Sequence, residues 1–89
     1  MKITKTSDEQ YFVQLQVGDS LEFPTEFSSS FTFSDIKIEL VEQTPTHSIQ
    51  RNFYPGGLIL EVKSSINGAE ITSNKKLEKA SPNICRVIL

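Results

Sequence analysis

Few residues in this chain have the chemistry to react. There is one histidine, His47, and one cysteine, Cys85, and the serine that invites scrutiny is Ser20, in the run Gly18-Asp19-Ser20-Leu21. A serine hydroxyl becomes a nucleophile only when a base takes its proton and a third group orients that base. His47 follows Thr44, Pro45 and Thr46, so no aspartate stands three residues before it. One Cys and one His cannot fill a tetrahedral zinc site. No Asp-X-Asx run supplies calcium ligands, and Asp8-Glu9 reads as a solvated turn. Gly56-Gly57 lacks the Lys-Ser/Thr and helix that a phosphate-cradling loop requires. The remaining acid/base candidates are Asp19, Glu22, Asp35 and Glu39, with nothing that sets two of them at a defined separation. The inventory points away from an enzyme, a metal centre and a cofactor.

Over four residues the Gly18–Leu21 run resembles the N-terminal block of a large group of lipases and esterases. That resemblance implies a three-layer α/β fold of about twice this length and an Asp-X-X-His pair near the C-terminus, which this sequence lacks. The longer stretch "VQLQVGDSLEF" is similar to the opening of copper-binding β-sandwiches and of small immunoglobulin-like bacterial domains. A blue-copper site would need two His, a Cys and usually a Met. Here only Met1 accompanies the single His and Cys. The shared pattern therefore reduces to strand, turn, strand.

The elements that would position any site are strands. Tyr11, Val13, Leu15 and Val17 alternate with Phe12, Gln14 and Gln16, the period of two of a half-buried strand. Gly18-Asp19 then reads as a hairpin turn into Ser20–Phe23, stopped by Pro24. Ser28-Ser29-Ser30 reads as a loop, and Phe31 and Phe33 share a face that begins a strand. Asp35–Gln43 is a strong strand with Ile36, Ile38 and Leu40 inward. Ser48–Tyr54 is a weaker one, ended by Pro55-Gly56-Gly57; Leu58–Val62 resumes, and Asn67-Gly68 is a hairpin-turn dipeptide. Residues 73–80, "SNKKLEKA", form the one candidate helix, with Ser73 or Asn74 as its cap and Leu77 and Ala80 toward the core. "ICRVIL" at the C-terminus is apolar on both faces except for Arg86, which suits a strand central in a sheet or paired with another copy.

Composition agrees. Nine Ile, five Val and seven Thr face only two Ala, and Cβ branching favours strands over helices. The expectation is one all-β domain over residues 1–89: a small antiparallel sandwich or barrel of about seven short strands, with a short helix near residues 74–80. Net charge is −2, which argues against nucleic acid as a partner. A weak single-strand mode through Lys75, Lys76 and Lys79 is the remaining route to it. No run approaches the ~18 apolar residues of a membrane helix, the first ten residues carry no leader-like apolar stretch, and a lone cysteine fits a reducing, cytoplasmic setting.

What remains is binding. Two irregular segments are rich in aromatics, "FPTEFSSSFTF" and "RNFYPGG". Loops on a rigid β scaffold carry function disproportionately, and Tyr and Arg are favoured in contact hot spots. The residues expected to hold a protein partner are Phe27, Arg51, Phe53 and Tyr54; the same Phe residues could instead plug the ends of the core. The reading is a non-catalytic interaction domain, such as a small inhibitor or adaptor. The alternative is a self-associating subunit of a homo-oligomer, a homodimer in the simplest case, joined through Ile84, Val87 and Leu89 of the C-terminal strand.

Overall fold

In the computed structural model, which describes residues 1–89, strand β2 (Tyr11–Gln16) buries Val13 and Leu15 and leaves Gln14 and Gln16 in solvent. Alternation has done here what it should. Five more strands join β2 in an antiparallel sheet: β1 (Ile3–Lys5), β4 (Lys37–Gln43), β5 (His47–Phe53), β6 (Ile59–Ser65) and β7 (Gly68–Ser73). Their spatial order is β1-β2-β7-β6-β5-β4. A second, three-stranded sheet holds β3 (Ser20–Glu22), β9 (Ile84–Ile88) and β8 (Lys76–Ser81), in the order β3-β9-β8. The chain is all-β, with nine strands where about seven were expected.

The core lies between the sheets. Val13, Leu15, Leu58, Leu60 and Ile71 come from the large sheet and its connections; Leu77, Cys85 and Val87 come from the small one. Each large side chain among them contributes roughly 1.5–3 kcal/mol of burial. The one buried polar residue, Ser73, is satisfied: its hydroxyl donates to the Lys75 carbonyl at 2.8 Å and accepts the Lys75 N–H at 3.0 Å.

The segment 73–80 holds no helix: Ser73 ends β7, Asn74 and Lys75 bend, and Lys76 opens β8. Ser73 folds a tight turn instead of capping a helix, and Leu77 packs opposite Val87 across the β8–β9 ladder. A two-turn helix has little stability of its own, and the edge of β9 offers both backbone bonds and a place for Leu77. Ala80, expected toward the core, is exposed beside a bulge.

Gly18-Asp19 forms a turn but not a hairpin. The Asp19 N–H bonds the Gln16 carbonyl at 2.9 Å, the Asp19 carboxylate accepts the Gln16 N–H at 2.9 Å, and Gly18 supplies a φ of 98°. The chain then leaves the large sheet. Ser20 donates its N–H to Asn83, and β3 runs parallel to β9. Val17, read as inward, sits in the turn at 79% exposure.

The β6–β7 hairpin turns on Ile66 and Asn67, one residue earlier than the Asn-Gly pair implies, with Ser65 paired to Gly68. Gly68 is needed for another reason. A Cβ there would lie 2.0 Å from the Leu15 carbonyl oxygen of β2. Phe31 and Phe33 do not begin a strand; residues 33–35 make a single 3-10 turn closed by Thr32 and Asp35. The serine triplet does not form an open loop either; it closes the short helix α1 (Thr25–Ser28).

The C-terminal strand takes the first of its two expected positions. β9 lies between β3 and β8, so both of its backbone edges are paired within the chain.

Candidate interaction surface

Two cross-strand rows on the inner face of the large sheet define the surface. One runs Ile38, Asn52, Leu60, Ser73, Tyr11; the other runs Leu40, Gln50, Val62, Ile71, Val13, Ile3. At the β1–β2–β7 end these rows are covered, because β8 packs over β2 and β1. At the β4–β5 end they are not. Ile38 is 44% exposed and Leu40 60%. Three strands are too narrow to roof six. Val41, in the bulge between Leu40 and Glu42, is also exposed, and Phe33 just upstream stands 74% in solvent. Large apolar residues thus cluster in one exposed stretch, Phe33 to Val41.

The aromatic loops form a ledge. Pro24 leads into α1, where Ser28 donates to the Thr25 carbonyl at 3.2 Å and Ser30 to the Phe27 carbonyl at 2.6 Å. Such local bonds suit serine in short turns, and they fix Phe27. Its ring lies 5.9 Å from Phe23, 4.8 Å from Phe31 and 6.3 Å from Tyr54. Tyr54 lies 5.3 Å from Phe23 and 5.9 Å from Phe31. Phe23, Phe27 and Tyr54 also pack against the core. Phe27 and Tyr54, both expected to hold a partner, are therefore half-buried in a shared aromatic cluster.

Arg51 and Phe53 do not join them. They sit on the other face of β5, since side chains alternate along a strand. Arg51 lies between Glu39 at 3.4 Å and Glu61 at 3.0 Å, and the Lys37 ammonium sits 5.8 Å from the Phe53 ring centre. The structure therefore splits the four residues into two pairs on opposite faces. Ile84, Val87 and Leu89 are divided as well. Val87 is fully buried inside the chain, Ile84 is half-buried, and Leu89 is exposed.

The chemically capable residues are occupied locally. The Nε2 of His47 meets the Glu42 carboxylate, and its Nδ1 lies 3.2 Å from the Thr44 hydroxyl, so the imidazole clasps the β4–β5 turn. Ser20 opens β3 in the other sheet. Cys85 is buried, and desolvation pushes its thiol pKa up from the ordinary 9.0, the reverse of what a reactive thiolate needs. Glu22 binds Arg86 at 2.8 Å across the β3–β9 pair. Lys76, one of the lysines considered for nucleic acid, pairs with Glu78 at 3.0 Å, and that hydrogen bond raises its pKa. No three metal-capable side chains come together, and no helix is long and apolar enough to cross a membrane.

The exposed Ile38–Val41 stretch was missed from the sequence because its alternation matches that of a buried strand. A period of two reports which side chains share a face, not whether a second layer lies on it. Comparison with known protein families, curated proteins and solved structures finds no match to this chain.

Proposed function

We propose that this chain is a non-catalytic protein-interaction domain that grips a protein partner with the unroofed end of its large sheet. The observation that carries the reading is the exposure of Ile38 and Leu40 side by side on the inner face of the large sheet. Exposed apolar side chains on a sheet face that would otherwise be core mark contact sites. Phe27 and Tyr54 support this surface as a rigid ledge at its border. Arg51 and Phe53 face the opposite side, where the ladder Glu39–Arg51–Glu61 already engages the guanidinium. An inhibitor or adaptor fits such a module, and the free, buried Cys85 suits a reducing cytoplasm.

A photo-crosslinking amino acid at position 40 tests the reading, with the same group at position 63 on the outer face as control. Irradiation in the native cell should give protein adducts at 40 and few or none at 63. Adducts confined to 63, or none at 40, would remove this surface from the case.

A further inference from the structure

β4 is an open edge, and its backbone polarity can be assigned. The Tyr54 N–H bonds Leu58 on the β6 side of β5, and the Thr44 N–H bonds His47 on the β4 side. Bonding direction alternates along an antiparallel strand. The pairs Lys37–Phe53 and Glu39–Arg51 therefore turn their N–H and C=O groups toward each other, and Ile36, Ile38 and Leu40 turn theirs outward. The outward N–H of Ile36 is already taken by the Phe33 carbonyl at 3.1 Å; its C=O is free of that bond. Outward backbone groups in a row are a template for another strand.

We infer that a second copy of this chain docks on β4, antiparallel and two-fold symmetric about Ile38, joining two six-stranded sheets into one. The charges select the register. Centred on Ile38, Lys37 of each copy faces Glu39 of the other. Centred one residue earlier, Lys37 opposes Lys37; one residue later, Glu39 opposes Glu39, and like charges directly opposite each other destabilise a ladder. Centring on Leu40 runs the pairing into the Leu40/Glu42 bulge, and centring on Ile36 runs it into the 3-10 turn. In the selected register, the Ile38 N–H and C=O meet those of the other Ile38, and the Leu40 N–H reaches the Ile36 carbonyl. Ile36, Ile38 and Leu40 then form one apolar row with their counterparts, each side chain flanked by one from the other copy. The bulge stops the ladder at Leu40.

This inference rests on the reading of the unroofed end as the contact surface, and it names the occupant. Light scattering across concentrations tests it. The mass should rise from 10.0 kDa toward twice that value. Glu39→Lys sets Lys37 against a lysine at two symmetric points and should weaken association roughly tenfold. The double exchange Lys37→Glu, Glu39→Lys should restore it. Ile38→Pro removes an outward N–H and the Ile38 side chain but no bond to β5, as edge strands tolerate, and should abolish the dimer without changing the thermal melt of a dilute sample beyond a few degrees. A chain that stays at monomer mass at every concentration overturns the inference. So does association that survives Glu39→Lys, or that Lys37→Glu, Glu39→Lys fails to recover while the variant melts like the parent. A strict monomer that still crosslinks another protein through position 40 would sink the dimer alone and leave the interaction surface standing.

Discussion

Leu60 and Ile38 occupy one cross-strand row, both beside Asn52, yet Leu60 is sealed in the core and Ile38 is 44% exposed. The two side chains face the same side of the same sheet. They differ in what lies above them, because the small sheet ends before it reaches β4. The row is half core and half surface, and the chemistry of each half can be separated by substitution.

Leu77→Ala should cost about 2–5 kcal/mol in urea unfolding, the range for a leucine removed from a packed interior. Leu40→Ala should stay within about 0.5 kcal/mol, as for an exposed site. A large loss at Leu40 in a dilute sample would mean that this end is covered within a single chain.

Gly68→Ala should destabilise by at least about 2 kcal/mol. Two effects add: a φ of 132° that side chains resist, and a Cβ driven against the Leu15 carbonyl. Circular-dichroism melts read the loss directly.

Asn74 ties two loops together. Its Oδ1 accepts the Ile59 N–H at 2.8 Å and its Nδ2 donates to the Gly57 carbonyl at 2.7 Å. Asn74→Ala should cost about 1–2 kcal/mol, and Asn74→Asp, which sets a carboxylate oxygen against the Gly57 carbonyl, should recover little or none of that. Loss below about 0.5 kcal/mol for Asn74→Ala in urea unfolding would show that these two bonds do not hold the loops together.

Cys85 links stability to alkaline pH. Burial raises its pKa in the folded chain above the ordinary 9.0. Below that value the thiol is neutral in both states and its contribution is fully present. Above it the unfolded chain ionises first and binds fewer protons, so stability falls as pH rises toward the folded pKa. Urea midpoints measured from about pH 8 to pH 10 should fall more steeply for the parent than for Cys85→Ala. Parallel slopes would show that the thiol ionises alike in both states.

Much of the fold was legible in residue order. The alternation in Tyr11–Leu15 locates a strand and its buried face correctly, since a pleat forces neighbours to opposite sides. Pro24 and Gly18 mark real breaks, because a missing N–H and a positive φ are local facts. Where local preference was weak, the reading failed. Residues 73–80 have a helix-like cap and spacing, but the waiting edge of β9 outweighs both. Of the surface, the ledge residues Phe27 and Tyr54 were found as aromatics beside turns. Their separation from Arg51 and Phe53 follows from strand parity, which the sequence did contain.

The order of side chains by itself determined that this is a β protein, which faces its strands present, and that reactive groups are few. Those properties are set by each residue and its close neighbours in the chain. Only the tertiary structure decided that β3 leaves β2 to run beside β9, that β9 is central, and that the β4 end of a six-stranded sheet lies beyond the reach of a three-stranded one. These depend on contacts between residues far apart in sequence, where many pairings satisfy the same alternation and the packing of the whole core selects among them.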